Sequence, residues 1–398
     1  MYNTRRDFPF FNQKHYLSFL DSAASSQKPG CVIDSLVEFY SYNFANVHRG
    51  IYYLSSKATE DFEKARSYIA KFINARSSAE IVFTKNATEG INLVASAFGK
   101  RFLNEGDEII ISIIEHHSNM IPWQQLCKQN NISLKVIPST KNGQLKYNDF
   151  KNMMSSRVKL VAITHMSNFF GSVIDIKKIV KIAKNFGAKV LVDACQSIAH
   201  LKIDVQDLNC DFLVFSSHKL YGPTGVGILY GNYQILDSME TYQTGGSMIS
   251  KISLQDMTSL SPPNKFEAGT PAIAEVIAFG QAIQYLNSIN LYQCWDKEKE
   301  LMQYIKKEIH KLKNFTIYDA NQTTSIISLT HAKAHHYDIG EILDNSKVAV
   351  RTGHHCTTPL VNFLGITGSV RISLAIYNNY EDADYLIRGL RTVNKIFQ

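Results

Sequence analysis

From about residue 80 to residue 230 the chain repeats one pattern: a short, nearly unbroken apolar run, then a stretch with helical spacing. Glu80–Thr84, Glu108–Ser112, Leu134–Ile137, Leu160–Thr164, Lys189–Asp193, Phe212–Phe215 and Gly227–Tyr230 read as strands. Ala87–Phe98 and Ile176–Phe186 read as helices between them. A strand that is apolar on both faces must be covered on both faces, and helical crossovers let such strands run parallel. The expected fold is therefore α/β, with a large unit built on a mostly parallel mixed sheet flanked by helices. Such sheets take ligands in the crevice beyond the carboxyl ends of their strands. Asp193 and the segment Ser216–Lys219 fall at two of those ends.

The remaining sequence is organised differently. Residues 231–270 are richer in Gly, Ser, Thr and Pro and read as extended connecting structure. Two helices are expected next, Ala272–Asn287 and Cys294–Leu312. Ser325–Leu329, a helix near Asp338–Asp344, strands Val348–Val350 and Ser369–Ala375, and a closing helix from Glu381 then suggest a smaller α+β unit. A chain of 398 residues exceeds one minimal core. The expected division is 17–285 for the large domain, with 1–16 and 286–398 forming the small one.

Composition removes several function classes. Hydrophobic residues make up 45% and charged residues 19%, with a net charge of +7 and no block of like charge. Scattered lysines and arginines give nucleic-acid binding no support. The six cysteines have wide, irregular spacing and no Cys-x-x-Cys pair, which argues against a disulfide framework or a zinc ribbon and fits a reducing compartment. No apolar run follows Arg5 and Arg6, and no stretch reaches the ~18 residues that span a bilayer. A cytoplasmic location is expected, or a stromal one in a source with plastids.

Chemistry concentrates in a few segments. Lys219 follows an apolar strand and precedes Leu220-Tyr221-Gly222-Pro223-Thr224-Gly225. A surface lysine is the ordinary reading of such a residue, but an amine at the mouth of a sheet can attack a carbonyl and form a Schiff base. Ser216 and His218 are phosphate-binding types, and Gly222, Gly225 and Gly227 allow close backbone approach. The glycine spacing is neither Gly-x-Gly-x-x-Gly nor a P-loop, so a nucleotide loop is disfavoured. Asp193 is either a helix cap or a carboxylate that keeps a pyridine nitrogen protonated. Gln196 could reach a ring hydroxyl, and Cys195 reads as packing. Asn86-Ala87-Thr88-Glu89-Gly90 opens a helix with a capping pair, and Thr88 offers a hydroxyl to a phosphate. In Glu115-His116-His117 the adjacent imidazoles diverge, so they chelate poorly, but one could stack on a ring and shuttle protons. Arg351-Thr352-Gly353-His354-His355-Cys356 places a thiol near a guanidinium and imidazoles, surroundings that favour thiolate. Neighbouring ligands without a distant set do not build a zinc tetrahedron, and no metal is expected. Arg371 could clamp a carboxylate. Lysine, strand-end aspartate and thiol together suggest pyridoxal-phosphate chemistry carried out on sulfur.

These residues resemble the group II cysteine desulfurases of the SufS type, in the class V aminotransferase branch of the fold-type I pyridoxal-phosphate enzymes. The likeness spans almost the whole chain. It runs from Leu20-Asp21-Ser22-Ala23-Ala24 and Val47-His48-Arg49-Gly50 through Ser216–Gly227 and Phe266–Pro271 to Arg351–Cys356 and Arg371. The resemblance implies that Lys219 carries the cofactor and moves protons at the substrate Cα, and that His116 stacks on the ring. It implies that Asp193 meets the ring nitrogen and Gln196 the ring hydroxyl. Thr88, Ser216 and His218 would bind phosphate, with Thr270 arriving from a second subunit of a homodimer. Arg371 and Asn168 would hold the substrate carboxylate, Arg351 would organise the cysteine loop, and Cys356 would become a persulfide. His48 and Arg49 are further candidates at the neighbouring site. The implied reaction converts L-cysteine to L-alanine and supplies sulfur for iron–sulfur cluster assembly through a SufE- or SufU-like acceptor and the SUF scaffold. Gln243 before Thr244-Gly245-Gly246 departs from the family pattern, which expects an acidic residue and a third glycine. Selenocysteine lyase is the neighbouring alternative. Other fold-type I enzymes would share Lys219 and Asp193 without needing Cys356. A cofactor-free assembly scaffold is the alternative of another class. His335 and His336 read as surface histidines, or as ligands offered to a zinc-bearing acceptor.

Overall fold

The computed structural model describes residues 4–12, 17–319 and 324–398, so the expected small-domain segment 1–16 lies partly outside it. Among the described residues a seven-stranded sheet forms the centre. Its strands are β1 (Ile81–Thr84), β2 (Glu108–Ser112), β3 (Ser133–Ile137), β4 (Val158–Thr164), β5 (Lys189–Asp193), β6 (Phe212–Ser216) and β7 (Gly227–Gly231). They lie in the order β1-β7-β6-β5-β4-β2-β3. The joins among β2 to β6 are parallel, whereas β7 runs against both β6 and β1. This is the expected mixed, mostly parallel α/β sheet.

Alternation along each strand explains the two covered faces. On β6, Leu213 and Phe215 enter one apolar cluster while Phe212 and Val214 enter another. On β4, Val161 and Ile163 join the first cluster and Leu160 and Ala162 the second. The first cluster is closed by the helices α1 (Tyr53–Phe72), α3 (Ile176–Lys184) and α4 (Ile273–Ser288). The second is closed by α2 (Ala87–Leu93) and the helical turns that prolong it.

Several expected elements shift. The helix read as Ala87–Phe98 widens into a π turn over Val94–Phe98 and runs on as Gly99–Phe102. The helix expected from Cys294 starts earlier, as α5 (Leu291–His310), because the Asn290 side chain accepts a hydrogen bond from the Gln293 amide at 3.2 Å. Residues 231–270 are not merely extended. They contain the helix Tyr233–Ser238, capped by Asn232, and a hairpin of Ile249–Ile252 with Met257–Ser259.

A second sheet has four antiparallel strands in the order β8-β9-β11-β10: β8 (Phe315–Tyr318), β9 (Ile326–His331), β10 (Arg351–Gly353) and β11 (Ser369–Ser373). It packs with α5, α6 (His336–Asn345) and α8 (Tyr380–Ile396) around its own apolar cluster. The short α7 (Thr358–Leu364) leads away from β10. The expected strand Val348–Val350 is the two-residue Val348–Ala349, paired in parallel with Ser18–Phe19. No helix of the described residues is long and apolar enough to cross a membrane.

Parallel register lines up the carboxyl ends. Thr164 pairs with Asp193, and Asp193 with Val214 two residues before Ser216. Gly227 pairs with Ser216 on one side and Thr84 on the other. A Cβ on Gly227 would overlap the Asn86 backbone, so a glycine here lets the turn before α2 lie against the sheet end. Gly227→Ala should cost about 1–3 kcal/mol in urea unfolding, the usual range for overpacking a tight site. A loss below ~0.5 kcal/mol would show that the turn yields freely.

Candidate active site

A cavity of about 230 Å³ opens at that carboxyl edge. Thr88, His116, Asn168, Asp193, Gln196, Ser216, His218, Lys219, Arg351 and Arg371 all line it. Two expected site residues do not. Cys356 is not on the wall, but its Sγ lies 3.7 Å from Nη2 of Arg351, which is. Thr270 is exposed and lines a different cavity of about 390 Å³, together with Gln243. Among the described residues no group of three His, Cys, Asp or Glu could hold a metal.

Lys219 sits in a single 3₁₀ turn directly after β6. Its amine is half-buried and makes no ion pair or hydrogen bond among the described residues. The backbone on either side of it is held by Ser26. The Ser26 amide and hydroxyl donate to the His218 carbonyl at 2.9 and 3.0 Å, and the Ser26 hydroxyl accepts from the Tyr221 amide at 2.9 Å. Tyr221 is fully buried with φ +61°, a left-handed conformation that costs a non-glycine residue about 1–2 kcal/mol. Ser26 therefore offsets strain two residues beyond Lys219. Sequence reading missed it, although it stands in the same short loop as Ala23 and Ala24.

Asp193 is buried, with Oδ1 accepting from the Cys195 amide at 2.9 Å. Gln196 donates through Nε2 to the Ala23 carbonyl at 2.9 Å, which locks the side chain against the wall. Cys195 packs against the second apolar cluster and also lines the cavity, and burial pushes its thiol well above the ordinary range. At the opposite end, the Ser216 hydroxyl accepts from the Ala87 amide at 2.9 Å, and the Thr88 and Ser118 hydroxyls meet at 2.7 Å. Hydroxyls and amides at the start of a helix form an anion cradle. Asn86 caps this helix by accepting from the Glu89 amide.

His116 lies between these ends. Its Nδ1 accepts from the Ser118 amide at 3.1 Å. Burial, and then the charge of Lys219, push its ring down to about 3. The residue before it, Glu115, is fully buried and accepts from Ser112, Asn119 and the Thr164 amide. Burial raises its carboxyl to about 8. Neither Glu115 nor its network carried a sequence signal beyond its place beside two histidines.

The second sheet supplies the cations. Arg351 on β10 and Arg371 on β11 are register partners, and like charges placed opposite each other repel. Arg371 is buried, and its Nη2 meets Asp21 at 3.1 Å while Nη1 donates to the Asn168 carbonyl at 3.3 Å. Its buried Nε has no partner among the described residues. Burial draws its guanidinium down to about 10 despite Asp21. Asp21 is itself raised by burial, more than Arg371 lowers it. The Asn168 side chain, expected on a substrate carboxylate, donates through Nδ2 to the His355 carbonyl at 2.7 Å. His355, which sequence reading did not single out from its motif, also lines the cavity. Burial pushes its ring to about 2.

The donor set fits pyridoxal phosphate. A reachable amine, a buried carboxylate at a strand end, a hydroxyl-rich helix start and a flat imidazole stand around one cavity. The unpaired Nε of Arg371 leaves a donor for a second anion, such as an amino-acid carboxylate.

Comparison with known proteins identifies the family. Residues 18–386 match the family model of aminotransferase class-V, and the chain belongs to that family. A cysteine desulfurase of Cronobacter sakazakii is 44% identical over 396 residues, covering 98% of both chains. One from Salmonella typhi is 45% identical over the same length and coverage. Among solved structures, the Escherichia coli cysteine desulfurase CsdA in its S-sulfonic acid form superposes with a TM-score of 0.93 at 34% identity, over 99% of this chain and 98% of that one. The Thermococcus onnurineus cysteine desulfurase gives 0.94 at 36% identity, over 98% and 97%.

Burial lowers the His116 pKa and so favours the neutral ring. A histidine whose folded value lies below its ordinary one stays neutral at every pH above that folded value. In the cofactor-free chain, imidazole nitrogen shifts of His116 should therefore not titrate between pH 5 and 8. A midpoint near the ordinary value of about 6.5 would contradict the burial of this ring.

Proposed function

We propose that the chain is a pyridoxal-phosphate-dependent cysteine desulfurase that moves sulfur from L-cysteine to Cys356 and releases L-alanine. One juxtaposition carries the reading: Lys219, Asp193 and Arg371 share a cavity whose wall residue Arg351 touches the Cys356 sulfur at 3.7 Å. No part of an ordinary amino-group transfer requires that thiol.

When bound, pyridoxal phosphate supplies an electron sink for the bond changes at the substrate's Cα and Cβ. The chain's own groups do the rest. Lys219 would hold the cofactor through its amine; once the substrate's amine takes its place there, the freed lysine amine would take and return the proton at Cα. Asp193 would keep the ring nitrogen protonated, and Gln196 would border the ring hydroxyl. Thr88, Ser216 and His218 would hold the phosphate. His116, neutral in this setting, would border the ring and relay protons. Arg371 receives the substrate carboxylate with Asn168 beside it. The Cys356 thiolate attacks the substrate sulfur. The Cβ–Sγ bond breaks, an S–S bond forms, and the electron pair left on carbon takes up a proton to give alanine. Arg351 steadies the thiolate by its charge.

Thr270 and Gln243 stand beside the second cavity, where a second copy of the chain would complete a homodimer. His48 and Arg49 are assigned to the neighbouring site of that dimer. The chain divides at about residue 285 into a cofactor domain and a small domain that carries the cysteine. The persulfide passes to a SufE- or SufU-like acceptor for iron–sulfur assembly in the cytoplasm.

Incubation with L-cysteine should give alanine and protein-bound sulfane sulfur in equal amounts during the first turnover. Cys356→Ser should lower sulfur transfer at least 100-fold while the protein stays yellow. Unimpaired transfer by that variant would favour a relative that does not use the thiol. An acceptor protein should raise multiple-turnover rates at least tenfold, and full activity without one would remove the acceptor from the account.

A further inference from the structure

We infer that His117 is a positioning residue that pins the Cys356 loop at two points and fixes where the thiol stands. The inference rests on the reading of Cys356 as the sulfur-accepting group. The loop is unfavourable by itself. Gly353, His355 and Cys356 have φ of +106°, +53° and +58°, and the last two carry side chains that disfavour this region. Such a run persists where its surroundings over-determine it.

His117 supplies two of those surroundings. Its backbone amide donates to the Cys356 carbonyl at 2.8 Å. Its ring Nε2 lies 3.0 Å from the Thr358 amide. A backbone amide can only donate, so Nε2 must be unprotonated and the ring neutral. The loop is thus held both at Cys356 and at the first residue of α7 by one residue of the other sheet's edge. The Asn168 amide adds a third pin, on the His355 carbonyl. His117 follows His116 directly, so one dipeptide reaches the cavity with its first ring and the thiol loop with its second. The consequence is a thiol with little travel, held beside the wall residue Arg351.

The test uses the cofactor-loaded protein with His117→Ala, His117→Asn and His117→Gln. The Gln side-chain oxygen can reach the position of Nε2 and accept from Thr358, whereas the Asn oxygen stops short. Amide hydrogen exchange over residues 353–360 is measured by mass spectrometry, together with single-turnover sulfane sulfur on Cys356. Exchange in the Ala and Asn variants should rise at least tenfold, and sulfur capture should slow at least tenfold with KM for L-cysteine within twofold. Gln should restore both readouts to within threefold. Wild-type exchange in the Ala variant, or a Gln variant no better than Asn, would overturn the clamp. If no variant and not even the parent chain forms a persulfide, the proposed reaction fails, while the exchange data still decide the clamp.

Discussion

Register at the carboxyl edge of the seven-stranded sheet constrains everything else in this molecule. Thr164 lies opposite Asp193, and Gly227 lies between Ser216 and Thr84. Strands buried on both faces cannot slip by one residue without exchanging every side chain between two apolar layers. The polar strand ends are therefore placed with the accuracy of the core. Lys219, three residues after Ser216, inherits that accuracy and is trimmed further by the Ser26 bridge between His218 and Tyr221.

Electrostatics in the cavity follow from two sheets meeting. The large sheet brings Asp193 and Lys219; the small one brings Arg351 and Arg371 as facing register partners. Asp21 compensates Arg371 but not both guanidinium groups. Burial first, and then the surplus of positive charge, keeps the neighbouring imidazoles of His116 and His355 neutral, and that surplus suits a site for anions. A thiol beside Arg351 shares that field.

Much of this was legible in the sequence, and the reason is physical. Fully buried parallel strands have a strong apolar signature, so the sheet and the residues at its ends could be read directly. Asp193, Ser216 and Lys219 are strand-end residues of that kind. The hairpin Ile249–Ile252 with Met257–Ser259 was not legible, because an exposed pair of short strands leaves no apolar pattern. Nor was the long helix α1 read, although it closes one face of the sheet. Ser26, Glu115, Asp21 and His117 act through tertiary hydrogen bonds with partners up to 350 positions away, as with Arg371 and Asp21, and spacing along the chain does not encode such pairs. Thr270 lies away from the cavity of its own chain, which accords with an approach from a second copy but does not test it.

The central claim is that the amine at position 219 forms the imine with the cofactor. Borohydride reduction of the yellow protein, followed by peptide mapping, tests it most directly. The account predicts one pyridoxyl-modified peptide with the label on Lys219. A label on another lysine such as Lys28, or no label on a protein that keeps its colour, would contradict it.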